Sequence, residues 1–352
     1  MKSMFEQTQI GNMKMKNRLI RAATGDRYDI NGHPTEGDLR VYESLAKGGI
    51  GTIITGFAYV AGYPHNPRMF GIYDDSFIPE YKKLTEMAHR YNVNIILQLV
   101  YCGSSTTIDL VKGNALGPSA VENINTKKTP VEMTKQDIQN VKQAFSDAAF
   151  RAKKAGFDGV EIHAAHGLLL SQFLTPYYNR RTDEYGGSDE NCARILVETY
   201  KLIREKVGPD YPVWVKINCK DGIENGITFE GFRMVFEQLS EAGVDAIEVS
   251  GAWLQSHPKD EFYYKDSVTQ AAEGALARGK TKIILTGGNR DFDAMTQVLN
   301  ETPIEYFALS RPLIAEPDLV NRWESGDTFR SKCISCNGCI RQKQGLMCTV
   351  NN

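Results

Sequence analysis

The sequence has no run of the roughly 18 or more apolar residues that would cross a bilayer as a helix. It has no block of lysines and arginines, and its formal charge is only −2 over 352 residues. Neither a nucleic-acid footprint nor an anionic-membrane anchor is therefore expected. The first residues, MKSMFEQTQIGNMKMKNR, contain no apolar core of signal-peptide length, and a cytoplasmic protein is expected. A glycine-rich dinucleotide turn is also missing after the first β-rich run, NRLIRAAT from Asn17, where a doubly wound sheet should carry one.

What is there is enough for one large core. Hydrophobic residues make up 41% of the chain, and a chain of this size buries about 75% of its unfolded surface. Eight short β-rich runs recur: NRLIRAAT, GTIITGFA from Gly51, NIILQLV from Asn94, GVEIHAA from Gly159, VWVKIN from Val213, AIEVSG from Ala246, KIILTG from Lys282 and YFALSR from Tyr306. Most are continuously apolar, as parallel strands covered on both faces are.

Helical stretches separate the runs. The clearest follows Thr134, an N-cap with Asp137 three residues on; Ile138, Val141, Phe145, Ala149 and Ala152 recur at helical spacing before Gly156. Others span Ile78 to Tyr91, Asn191 to Val207, Phe229 to Ala242 and Phe292 to Leu299. The alternation predicts an α/β fold, a (β/α)8 TIM barrel over residues 1–325, with a short cysteine-rich C-terminal tail over 326–352. Tyr101 to Met133 is long and rich in small polar residues, and reads as a lid over the barrel mouth or as a surface insertion.

The stretch GVEIHAAHGLLLSQF, Gly159 to Phe173, starts as a strand and ends as a helix. His163 should close the strand and His166 should open the helix, at the barrel edge where ligands bind. Two imidazoles there can each donate an N–H to one carbonyl oxygen that gains charge in a reaction. Structural histidines and a metal pair are the competing readings.

Seven cysteines are present, and four crowd the end: Cys333, Cys336, Cys339 and Cys348, as C-x2-C-x2-C-x8-C. Thiolates so spaced can hold a [4Fe–4S] cluster or a structural zinc, or stand free.

Several stretches resemble the Old Yellow Enzyme family, and within it the NADH:flavin oxidoreductase and 2,4-dienoyl-CoA reductase branch. They are IGNMKMKNRLIRAAT near the start, QLVYCG from Gln98, GPSAV from Gly117, AGFDGVEIHAAHGLLLSQFLTPYYNRRTDEYGG from Ala155, TGGNR from Thr286 and ALSRPLIAEPDL from Ala308. The resemblance implies FMN at the barrel mouth, NAD(P)H as reductant, and hydride delivery to the β-carbon of an enone or dienoyl substrate. It implies flavin contacts from Ala22, Ala23, Thr24, Gly56 and Gln98, and phosphate contacts from Gly287, Gly288 and Arg311. Lys216, ending VWVK, would offset the charge of the reduced flavin; its competing reading is an ion pair with the inward-facing Glu161.

His163 and His166 carry over as the pair on the substrate carbonyl. The tyrosine that many relatives have two residues after the second histidine is here Leu168, which cannot donate a proton. Tyr101 and Tyr28 are the replacement candidates, with water a third. The dienoyl-CoA reductase branch carries a cluster near the position of this cysteine tail. An electron-transfer subunit working with a partner protein is the alternative function. A homo-oligomer is left open.

Overall fold

The computed structural model describes residues 1–61, 68–106, 115–251, 280–341 and 345–350. Eight parallel strands close on themselves: β1 (Leu19–Arg21), β2 (Thr52–Ile54), β3 (Asn94–Val100), β4 (Gly159–Ala164), β5 (Val213–Asn218), β6 (Ala246–Ser250), β7 (Lys282–Thr286) and β8 (Tyr306–Leu309). Each pairs with the next and β8 pairs with β1, which closes the cylinder; two short strands, Ala58–Tyr59 and Phe70–Gly71, extend the sheet from β3. The eight expected runs are the eight strands.

Alternation divides each strand between two cores. In β5, Val213, Val215 and Ile217 join the large apolar layer between sheet and helices, while Trp214 points into the barrel. The interior floor is apolar: Ile20, Ile54, Ile96, Trp214, Ala246, Ile284 and Tyr306 pack together. Beneath it an antiparallel hairpin, Thr8–Ile10 with Met13–Met15, adds Ile10, Met13 and Met15 as a plug. This seals the end of the barrel away from the strands' C-termini and leaves the other end for chemistry.

Among the described residues six longer helices surround the strands, α1 (Glu36–Lys47), α2 (Ile78–Arg90), α3 (Lys135–Lys154), α4 (Asp189–Val207), α5 (Phe229–Ala242) and α6 (Phe292–Glu301), with short helices at Leu169–Leu174, Arg311–Ala315 and Leu319–Glu324. α3 begins with a full capping box: Thr134 and Asp137 each accept the other's backbone N–H, at 3.1 and 2.9 Å. α1 was not expected; its own box joins Thr35 and Asp38. Of the long stretch after β3, residues 107–114 lie outside the described residues. The remainder is anchored: Leu116–Gly117 pairs with Val131–Glu132, and buried Asn123 donates to Ser104 Oγ at 3.0 Å.

Candidate active site

Above the apolar floor the barrel turns polar. Gln98, Glu161, Lys216 and Glu248, from β3 to β6, are all at most 3% exposed, an expensive layer to bury unless its charges meet. They do meet. Gln98 Nε2 donates to Glu161 Oε2 at 2.6 Å, and Lys216 Nζ donates to Glu248 Oε1 at 2.7 Å. Thr286 Oγ1, on β7, also donates to Glu248 Oε1. Lys216 therefore forms an ion pair, as its competing reading had it, but with Glu248 and not with Glu161. Register decides this: Lys216 stands directly beside Glu248 across the β5–β6 ladder, while its β4 neighbour is His163.

Burial, and next the facing Glu248 charge, push the Glu161 carboxyl well above its ordinary range. Burial works the same way on Glu248, but the Lys216 ammonium and hydrogen bonds from Glu161, Lys216 and Thr286 overcome it and hold Glu248 below the usual value. Among the described residues, three oxygens in this layer have no donor: Gln98 Oε1, Glu161 Oε1 and Glu248 Oε2.

The histidines stand one level higher. His163 and His166 face each other edge to face, ring centroids 5.2 Å apart. The backbone N–H of Ala165 points to His163 Nδ1 at 3.3 Å, which leaves the ring proton on Nε2. His166 Nε2 lies 2.8 Å from Ser250 Oγ, and its backbone N–H donates to Asn218 Oδ1 at 3.4 Å. The turn holding the pair is tight. His166 sits at φ 58° and Gly167 at φ 72°, and a non-glycine residue in that region costs about 1–2 kcal/mol. Gly167 O accepts from Ser105 Oγ at 2.5 Å and Gln172 Nε2 at 2.7 Å, which locks the turn. Burial, then His166 and Lys216, hold His163 far below the usual imidazole range; burial and Lys216 push His166 down to about 3. Both rings are neutral at pH 7 and each carries one N–H; that of His166 lies on Nδ1 when Ser250 donates to its Nε2.

At the β7–β8 end lies a cavity of about 150 Å3, lined by Gly287, Gly288, Asn289, Arg290, Arg311 and Ser335 among others. Gly287 adopts φ 114° and Gly288 φ 70°, which brings bare backbone to its wall. Arg311 Nη1 donates to Asn337 Oδ1 at 2.8 Å, and Arg290 Nη1 to Ser335 Oγ at 3.0 Å, so the C-terminal tail packs against this end. At the β1 and β2 ends, Thr24 Oγ1 donates to Ala22 O at 2.9 Å and meets Ser310 Oγ at 2.8 Å. A Cβ on Gly56 would lie 3.0 Å from Thr24 O, so these two strand ends touch. Ala23 packs against the inner barrel core.

FMN fits these residues. Gln98 Oε1 is a buried acceptor without a donor, aimed from the polar layer, and the glycine-walled cavity with its arginines suits a phosphate. The cysteine tail does not fit a metal. Cys339 is buried, Cys336 exposed, Cys333 and Cys348 between, and all are free thiols. Among the described residues no three His, Cys, Asp or Glu side chains are gathered to hold a metal ion. Of the three readings for Cys333, Cys336, Cys339 and Cys348, a cluster and a zinc thus lack a formed ligand set. Burial, then Cys333, push the Cys339 thiol up.

Leu168 joins Phe57, Tyr59, Met69, Val100 and Cys102 in a small apolar cluster. Tyr101 packs partly against the outer core, and its carbonyl accepts from Leu169 N at 3.0 Å. Tyr28 lines a different cavity of about 260 Å3, with Arg21, Asp26 and Arg40. Glu248, Ser250 and Asn218 escaped the sequence reading. The signal was there, in inward parity on β5 and β6, but their partners depend on strand register.

A sequence profile of the NADH:flavin oxidoreductase / NADH oxidase family matches residues 3–328. An NADH oxidase of Thermoanaerobacter brockii is 32% identical over 363 residues, covering 99% of this chain and 56% of that protein. An NADPH dehydrogenase of a Geobacillus species (strain WCH70) is 31% identical over 327 residues, covering 89% of this chain and 91% of that protein. A solved complex of 2-naphthoyl-CoA reductase with 2-naphthoyl-CoA superposes with a TM-score of 0.89 at 28% identity, covering 99% of this chain and 56% of that one. The chain spans about half the length of the first curated relatives it matches, 56% and 54%.

Proposed function

The chain belongs to the NADH:flavin oxidoreductase / NADH oxidase family, the Old Yellow Enzyme group, and from that membership we propose that it is an FMN-dependent NAD(P)H oxidoreductase acting on the activated C=C bond of an α,β-unsaturated carbonyl compound. FMN, when bound, would take a hydride equivalent from NAD(P)H and pass it to the acceptor's β-carbon. Gln98, Lys216, Ala22 to Thr24 and Gly56 would hold its ring, and Gly287, Gly288 and Arg311 its phosphate.

The observation that carries this reading is the pair of neutral imidazoles above a buried ammonium. Two ring N–H groups that bring no charge of their own can grip a carbonyl oxygen and strengthen as negative charge develops there. A lone donor of this kind is worth about 3–4 kcal/mol in the transition state. Ser250 and Asn218 orient His166, and the locked turn keeps the rings from rotating away. Thioesters present the same conjugated oxygen as ketones, and a solved relative is held in complex with 2-naphthoyl-CoA. Leu168 offers no proton to the acceptor's α-carbon, and we assign that role to the phenol of Tyr101.

Stopped-flow mixing of NAD(P)H-reduced protein with cyclohexenone-type and dienoyl acceptors tests the reading. Flavin reoxidation by these acceptors is expected, with His163→Ala slowing it at least 100-fold. A yellow protein inert to nicotinamides refutes it and favours an electron-transfer subunit.

A further inference from the structure

The polar layer holds one carboxyl more than its ammonium can neutralise. Lys216 meets Glu248, while Glu161, on β4, accepts from Gln98 and, among the described residues, forms no ion pair of its own. Were both carboxyls ionised, the layer would carry a net negative charge at 0% exposure, which protein interiors do not sustain. Glu161 and Glu248 are in hydrogen-bonding contact, and each has one oxygen with no donor. A single proton closes all three deficits: the surplus charge and the two orphaned oxygens.

We infer that Glu161 and Glu248 share one proton beneath the flavin end of the site, and that this pair acts as a positioning device for Lys216 and Gln98. The shared proton leaves one carboxylate charge facing Lys216, so the ammonium is held and only balanced. Glu161 Oε2 stays an acceptor for Gln98 Nε2, which turns the amide oxygen toward the cofactor. The groups bonded to the pair are Gln98 from β3, Lys216 from β5 and Thr286 from β7, with His166 near Glu248 and His163 beside Lys216 across the β4–β5 ladder. Both histidines are neutral, so none of these supplies a second cation to ionise Glu161. The proton follows from the carboxyls alone; its effect on a flavin rests on the function proposed above.

The test compares wild type with Glu161→Gln, Glu248→Gln and the double variant. Infrared difference spectra are taken with and without FMN, and the two-electron potential of bound FMN is titrated. Wild type should show a protonated-carboxyl stretch, in the apoprotein as well. Glu161→Gln removes it by removing the acid. Glu248→Gln should remove it too, because Glu161 then ionises to balance Lys216. Each single variant thus keeps one carboxylate charge, and the relative affinity for reduced over oxidised FMN should change less than threefold. The double variant leaves Lys216 unbalanced and should raise that ratio at least tenfold, about 30 mV for a two-electron couple. A wild type without the band overturns the inference. So does an additive pattern, in which Glu161→Gln alone raises the ratio tenfold, as two ionised carboxyls require. If one variant fails to fold, the band in wild type and in the other variant still decides. A chain that takes up no FMN refutes the proposed function, while the apoprotein band continues to test the proton.

Discussion

Exchanging Lys216 for methionine keeps most of the side chain's volume and removes its charge, so the cavity term is small. What remains is electrostatic. At 2.7 Å and an effective dielectric near 20, the attraction to Glu248 is about 6 kcal/mol before desolvation. Glu248 is 0% exposed and cannot recover water in the folded state. Breaking such a pair from one side typically costs about 3–5 kcal/mol. Unfolding entropy of about 2.1 cal/mol/K per residue over 352 residues converts 4 kcal/mol into a fall of about 5 °C in Tm.

The loss should depend on pH, with a definite sign. Without Lys216, the folded-state pKa of Glu248 rises above its unfolded value of about 4.3. A carboxyl raised in this way stabilises fully below the unfolded value and loses that contribution as pH rises through the folded one. The variant's deficit should therefore be smallest near pH 5 and grow toward pH 8. Adding Glu248→Gln should restore at least half of the lost Tm. Thermal melts of the single and double variants at several pH values are the assay. A Tm fall under 1 °C, or one that ignores pH, refutes the account of this layer.

Other outcomes follow from the same geometry. Because His166 is pushed down to about 3, its folded pKa lies below the unfolded imidazole value of about 6.5, so stability it contributes is present above that value and is lost as pH falls toward 3; melts of wild type against His166→Gln should converge in acid. Tyr101→Phe should slow turnover with enone acceptors by about 100-fold while leaving flavin reduction by NAD(P)H unchanged, read separately by stopped flow. Gly287→Ala, at φ 114°, should cost about 1–3 kcal/mol of local strain and weaken FMN uptake, seen as reduced quenching of flavin fluorescence. Thr134→Ala should remove the α3 cap and lower stability by about 1 kcal/mol, measured by denaturant unfolding.

Much of the barrel was legible because buried parallel strands write themselves as apolar runs. Both ends of α5 were expected where they fall, and α3 was marked by Thr134 and Asp137. α1 was missed although its apolar period is no weaker than that of α3; its buried face mixes Gly37 and Asp38 with Tyr42, Leu45 and Ala46, and the glycine and aspartate in its first turn disguise the helix start. The site divides in the same way. His163, Gln98 and Lys216 could be placed on their strands from local pattern alone, although β3 and β5 each run two residues past Gln98 and Lys216. The partner of Lys216 could not, since Glu161 and Glu248 have the same inward parity and only the ladder register separates them. The left-handed turn at His166 was equally hidden, because its stability comes from Ser105 and Gln172, which lie elsewhere on the chain. Cysteine spacing gave the opposite lesson: C-x2-C-x2-C fixes how near thiols can come, and not whether they converge.

The N-terminal hairpin that stoppers the barrel has a practical consequence. Asn94, the first residue of β3, donates to Lys14 O at 2.7 Å, so the hairpin sits at the face opposite the strands' C-terminal ends, with the Lys14 side chain exposed on it. A tether attached at Lys14 should therefore present the strands' C-terminal face outward when the protein is immobilised on an electrode or bead.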